Sequence, residues 1–300
     1  MLKTGIKKEL MFFTRSFKMC GIIIAAIVLA VASPLLMKLS GAMISSLDSA
    51  DIGNASNGNY TQVSREINAT VEYTSLGADY DSMLELFEDE NLAYLGIISS
   101  FGDLTNMLLL IFMIVTMYGA GGELKKRSMI IPQNAGLTTK LYVLPKFLVY
   151  PLAAAVFAFV GVIVSGLVTA IVFNGVYDAD IGRLMLVALT AAVYDAFIVT
   201  LYFTLGLCTA RAGIATIILY GGSAILSVLF TSFGANKFHP FALKDQAQEI
   251  LIGGEGEIDF VNLFGSIGVT VLIMLLCYFV TIFVISAKRT DNRGEEGIEL

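Results

Sequence analysis

The chain has one histidine, three cysteines, five prolines and no tryptophan in 300 residues. The single histidine, His239, excludes most histidine-dependent chemistry, since a His-Glu-x-x-His zinc site needs two imidazoles. Cys20, Cys208 and Cys277 are odd in number and all stand inside apolar runs, which is not the pattern of a disulfide framework. Charge is scarce as well: 15% of residues are charged, against ~25% in an ordinary globular domain. The net charge of −6 and pI near 4.9 argue against a nucleic-acid partner. No Gly-Lys-Ser/Thr occurs, so the chain has no phosphate-cradling loop of its own.

Apolar residues are what the chain does have. They make up 56% of it, and the mean hydropathy is +0.78. A helix crossing a hydrocarbon core needs ~20 mostly apolar residues. Six runs qualify: 19–37, 95–118, 147–174, 184–207, 213–233 and 261–287. The first is too long for a signal-peptide core and is followed by five more, so it reads as a span. The composition and these runs predict an all-α polytopic membrane protein.

Lys and Arg in the loops set the orientation. Lys3, Lys7, Lys8, Arg15 and Lys18 precede the first span. Lys125, Lys126, Arg127, Lys140 and Lys146 lie between the second and third, Arg211 follows the fourth, and Lys288, Arg289 and Arg293 follow the last. Lys38, Arg65, Arg183, Lys237 and Lys244 fall on the other side, giving 14 against 5. Both termini are therefore expected in the cytoplasm, which an even number of spans requires. The loop 38–94 is then outside and carries ten acids against Lys38 and Arg65. Its Asn54, Asn59 and Asn68 sequons are what an Asn- and Thr-rich loop produces by chance.

At the N-terminus, Leu2, Ile6, Leu10, Phe13 and Phe17 recur at helical spacing with Lys3, Lys7, Lys8 and Arg15 on other faces. Residues 1–18 thus predict a basic amphipathic helix lying in the membrane interface. Within the spans, Asp195 stands near the middle of the fourth. An ionisable group there costs at least ~2.5 kcal/mol on insertion scales and turns toward the bundle interior or a wet cavity. It reads either as a substrate-contact or gating residue or as a carboxyl bonded to a neighbouring Tyr, Thr or Ser. Asp103 and Asn106 are expected nearer the outer end of the second span, in water. Gly161, Ser165 and Thr169, then Ala188, Ala192 and Ala196, and Ser223, Ser227 and Thr231 place small residues every fourth position. That spacing lets helices approach closely, within one subunit or across a dimer seam. The outer segment 234–260 holds Pro240 at a helix start, then Phe241, Leu243, Ala247, Ile250 and Leu251. It either rests at the outer interface or re-enters between the spans.

The connector 119–146 carries Gly121-Gly122-Glu123-Leu124-Lys125-Lys126-Arg127-Ser128, then Gly136-Leu137-Thr138-Thr139-Lys140, then Lys146. The outer segment carries His239-Pro240-Phe241-Ala242-Leu243. With the amphipathic start, the large outer loop and the basic tail 288–300, this order of parts resembles the membrane subunit of ABC-2-type transporters, the permease half of ATP-driven exporters. The likeness covers the whole chain in architecture, although Pro132 follows Glu123 sooner than in the family's pattern. It implies a separate ATP-binding cassette subunit holding ATP and Mg, with no cofactor or metal in this chain. It also implies a homodimer or a heterodimer with a similar permease, in a bacterial cytoplasmic membrane. By the same likeness, Glu123, Lys125, Lys126, Arg127, Leu137, Thr138, Thr139 and Lys140 dock the ATPase, and Pro240 and Phe241 belong to an outer gate. Leu141, Tyr142 and Leu144 would add to the docking face, and the cations would steer a partner's acids. The apolar spans, with scattered Ser, Thr and Tyr, suit an amphipathic peptide, drug or lipid.

Other classes fit less well. An intramembrane protease lacks a second histidine or a second buried acid to face Asp195. A secondary transporter would show internal repeats and broken helices, and no repeat is visible. A membrane sensor or immunity partner would differ from a permease in lacking a bound ATPase.

Overall fold

The computed structural model describes residues 2–15, 17–55, 89–118, 138–174, 180–209, 238–252 and 259–296, together with Ile218 and Gly222. Every regular element among them is a helix: α1 (Leu2–Arg15), α2 (Phe17–Ala55), α3 (Asp89–Tyr118), α4 (Thr139–Val172), α5 (Ile181–Thr209), α6 (Ala242–Ile252) and α7 (Phe260–Glu296). Four stretches are long and apolar enough to cross a membrane: Ile23–Met43, Thr139–Val172, Ile181–Thr209 and Phe260–Ala287. The chain is therefore a multi-pass membrane protein, all-helical in its described residues. The span expected at 19–37 belongs to a helix that runs on to Ala55, and Ile23–Met43 within it is long and apolar enough to cross. The run 95–118 lies in the 30-residue α3. The run 213–233 lies outside the described residues except for the helical Ile218 and Gly222.

Local chemistry sets the helix ends. Thr138 caps α4, its hydroxyl accepting from the Leu141 amide at 3.4 Å. Asp180 caps α5 by accepting from the Gly182 amide at 2.8 Å, and Asp259 caps α7 by accepting from Asn262 at 3.0 Å. Each satisfies an amide that has no partner inside its own helix. At the far end of α4, the Lys38 ammonium donates to the Val172 carbonyl and lies 5.4 Å from the Phe173 ring centroid. A cation there complements the negative end of the helix dipole.

α3, α4 and α5 form the centre, with α2 against α3 and α4, α7 against α5, and α6 against α5. Two apolar layers hold them. One joins Leu92, Ile97 and Phe101 of α3 to Val162, Val187, Leu243 and Leu263. The other joins Phe13 of α1 to Leu108, Val143, Tyr150, Phe203 and Ile285. The small-residue rows on α4 and α5 are buried inside the subunit. A Cβ on Gly161 would stand 2.5 Å from Leu104, and one on Gly166 would stand 2.5 Å from Leu184. Leu104 of α3 and Leu184 of α5 pack into the space these glycines leave on α4. The third row, Ser223, Ser227 and Thr231, lies outside the described residues.

α6 runs obliquely across the bundle. Its N-terminal side reaches the middle of α5, where Phe241 meets Phe197 edge-on at 5.8 Å. Lys244 Nζ comes within 3.7 Å of a Cβ built on Gly102, near the middle of α3. On α7 it crosses near the start, where Gln246 donates to Ser266 at 3.0 Å.

Candidate functional site

The most constrained polar cluster lies where α4 begins. Lys146 Nζ donates to Glu9 Oε1 at 2.7 Å, and the Tyr150 hydroxyl donates to Glu9 Oε2 at 2.9 Å. Glu9 is 6% exposed, and Lys146 and Tyr150 are each 2% exposed. Lys146 and Tyr150 are four apart on one face of α4, so both reach the same carboxylate. Aromatic rings close the site. Tyr150 stacks on Phe203 at 4.7 Å and meets Phe13 edge-on at 5.9 Å, and Lys146 Nζ lies 4.9 Å from the Tyr142 ring centroid. α1 can come this close because Gly5 faces Pro145, whose Cγ would be 2.9 Å from a Cβ on that glycine. Proline leaves the Leu141 carbonyl without its usual helical donor.

This arrangement revises the sequence expectations at three points. The predicted apolar stripe of α1 divides: Phe13 enters the core, while Leu2 and Leu10 remain outside and Glu9 turns inward. The side chain of Phe17 lies outside the described residues. Tyr142, expected on a docking face, is buried beneath Lys146. Thr138, Thr139 and Lys140, expected in the cytoplasmic connector, are the cap and first turn of the long α4, which runs as one helix through Pro145 and Pro151 to Val172. Of the three, Thr138 and Lys140 are exposed and Thr139 is buried. Glu123, Lys125, Lys126, Arg127 and Leu137 lie outside the described residues. The sequence does carry a signal for the buried cluster: Glu9 is the only acid among the first eighteen residues.

A second set of polar groups occupies the middle of the bundle. Asp195 is the midpoint of α5 and is 1% exposed. Its Oδ1 is held by Thr105 Oγ1 of α3, and among the described residues its Oδ2 has no hydrogen-bond partner. The bond to a neighbouring Thr anticipated from sequence is therefore present, and it accounts for only one of the two oxygens. Thr105 is also within 3.1 Å of the Phe101 carbonyl, so one hydroxyl hydrogen serves two acceptors. Two residues away, Asp103 Oδ2 accepts from Ser33 Oγ at 3.0 Å. Thr105, two residues on, is bonded to Asp195 at the midpoint of α5, and Leu104 packs at Gly161 well inside α4, which places Asp103 near mid-depth rather than near an end. Among the described residues, no group of three His, Cys, Asp or Glu side chains could hold a metal ion.

Pro240 and Phe241, expected at an outer gate, open the turn into α6. Pro240 is buried and Phe241 is half-buried against Phe197. His239 caps this turn, its Nδ1 accepting from the Ala242 amide at 3.0 Å. Burial holds the imidazole below its ordinary range, and the Asp245 carboxylate opposes that shift. A folded-state value below the unfolded one means that the neutral cap stabilises above the unfolded value of ~6.5. That contribution is lost as pH falls through the folded-state value, because Nδ1 then carries a proton and cannot accept. We expect the thermal midpoint of the detergent-solubilised protein to drop on acidification by an amount equivalent to about 1 kcal/mol. His239→Asn, whose carboxamide oxygen also caps, should remove most of that pH dependence. An unchanged profile in His239→Asn would assign it to other groups.

Compared with protein-family models, curated proteins and solved structures, the chain matches none of them.

Proposed function

We propose that this chain is the permease subunit of an ABC-2-type exporter. It crosses a bacterial cytoplasmic membrane six times with both termini inside. It moves an amphipathic or hydrophobic substrate, and a separate ATP-binding cassette subunit supplies ATP and Mg. It works as a homodimer or with a similar permease. The observation that carries this reading is the buried Glu9–Lys146–Tyr150 cluster. A soluble motor drives a membrane partner only through a stiff element at the membrane surface. The connector enters α4 at Thr138, and within about two turns α4 is locked to α1 by an ion pair that would be costly to separate. A push on the connector therefore moves α1 and α4 as one body. The crossing of α6 beside the middles of α3 and α5 supports a re-entrant outer segment, with Pro240 and Phe241 at its buried end.

The test is a pull-down from mild detergent with ATPase activity assayed on the eluate. We expect a stoichiometric ATPase that is lost when 123–140 is replaced by a neutral linker. Lys125/Lys126/Arg127→Ala should weaken its capture. An eluate without ATPase, under conditions where a known exporter keeps its own, would rule the reading out.

One observation favours a second reading. The half-satisfied carboxyl of Asp195 at mid-bundle suits an ion-coupled secondary transporter. For that reading, Asp195→Asn should abolish ion-dependent transport in a chain that purifies without an ATPase.

A further inference from the structure

The outward faces of the long helices are not alike. On α2 the exposed residues around Ser33 are Ile27, Val28, Leu35 and Leu36, and on α4 they are Leu152, Val156 and Val160. On α7 they are Leu272, Leu275, Leu276 and Phe279. Acyl chains satisfy such faces. On α3 the exposed side chains in the described interior are Asp103, Asn106 and Leu110, one stripe at spacings of three and four. Asp103 is near mid-depth, two residues from Thr105, which is bonded to Asp195 at the midpoint of α5, and it is itself bonded to Ser33 of α2. A carboxylate and a carboxamide presented to hydrocarbon at that depth would cost several kcal/mol, so this face meets water. The neighbouring face of α6 is polar too. The exposed charges of α6 are Lys244, Asp245 and Glu249, and of these Lys244 places its Nζ beside Gly102, next to Asp103.

The balance of charge on this wall gives the ligand class. Among the described side chains of α3 and α6, the exposed charges are Asp103, Asp245 and Glu249 against Lys244. Among the described residues no cation lies within ion-pair distance of Asp103, and its only bonded partner is the neutral Ser33. A low-dielectric passage lined mainly by one sign of charge concentrates ions of the other sign.

We propose that the Asp103–Asn106 stripe of α3 and the charged face of α6 line a water-filled passage at mid-membrane, and that Asp103 holds the cationic group of an amphipathic substrate. This narrows the substrate class of the permease reading and rests on it for the word substrate. The passage and its charge preference can be tested without any ATPase.

The experiment uses full-length chains in native membranes, with Cys20, Cys208 and Cys277 replaced by serine. Asn106→Cys is labelled with a cationic trimethylammonium methanethiosulfonate and, separately, with its anionic sulfonate analogue. Leu152→Cys and Leu275→Cys serve as lipid-facing controls. We expect Asn106→Cys to react with the aqueous reagents while the controls stay unlabelled, with the cationic reagent faster by about tenfold or more. Adding Asp103→Asn should collapse that preference. Tetraphenylphosphonium should slow labelling of Asn106→Cys when Asp103 is present and fail to do so in Asp103→Asn. Labelling no faster than in the controls would overturn the passage. Labelling without a charge preference, or with one that survives Asp103→Asn, would overturn the cation assignment. Monodisperse elution of each variant separates these outcomes from misfolding. Failure of the permease reading would show instead in the ATPase pull-down and would leave the labelling pattern unchanged.

Discussion

Lys146→Met destabilises the protein by about 3–5 kcal/mol, the cost of leaving one partner of a buried ion pair without the other. Glu9 would keep its charge at a site 6% exposed, with only the Tyr150 hydroxyl to hold it. The expected result is a large drop in thermal midpoint in detergent, with α1 released from α4. Glu9→Gln alone should cost less, because the carboxamide oxygen can accept from both Tyr150 and Lys146, so the ammonium loses its counter-charge but keeps a hydrogen bond. The double variant Glu9→Gln/Lys146→Met should recover much of the loss, since it buries no net charge and keeps the tyrosine bond. Replacing a whole buried pair by neutral groups is often close to neutral in stability. The two single variants and the double variant form a cycle whose coupling term measures the pair itself. A Lys146→Met protein as stable as the parent would show that the pair contributes nothing to holding α1 in place.

Gly96→Val should force α2 away from α3. A Cβ on Gly96 would stand 3.1 Å from Pro34 Cα, and the atom in the way is backbone, which cannot swing aside as the leucine side chains facing Gly161 and Gly166 can. Pro34 already removes one hydrogen bond from α2, so this is where the helix has least resistance to bending. Overpacking of this kind typically costs about 1–3 kcal/mol. We also expect a functional consequence. The Ser33–Asp103 bond lies next to Pro34, so parting the helices frees the Asp103 carboxylate. Thermal unfolding measures the first effect. A changed labelling rate at Asn106→Cys measures the second, with the preference for the cationic reagent retained because the freed carboxylate keeps its charge. Gly96→Val with an unchanged midpoint would mean that the α2–α3 contact is loose.

Much of the architecture was legible in the sequence because it depends on local quantities. Whether a run of ~20 residues can cross a bilayer is a property of that run alone, and four of the expected runs recur as membrane-length helices. Caps are local as well: Thr138, Asp180 and Asp259 stand just ahead of the helices they start, where short polar side chains reach free amides. The expectation that Asp195 would point inward followed from the cost of a carboxyl in lipid, and it is 1% exposed.

What sequence could not decide was which polar groups meet. The α1 periodicity marks an amphipathic helix, yet its partner on the inner side is selected by Lys146, 137 positions away. Nothing local distinguishes a lysine that only sets topology from one that pairs with a buried acid. Asp103 had the same ambiguity. Counted along α3 it could be placed in the outer water, whereas the bond of nearby Thr105 to Asp195 sets its depth against the middle of α5. The sequence by itself determined which segments leave water, because hydrophobic length is additive along the chain. Only the tertiary structure decided where the remaining charges go, because the energy of a charge in a membrane is set by the neighbours that packing brings within a few ångströms of it.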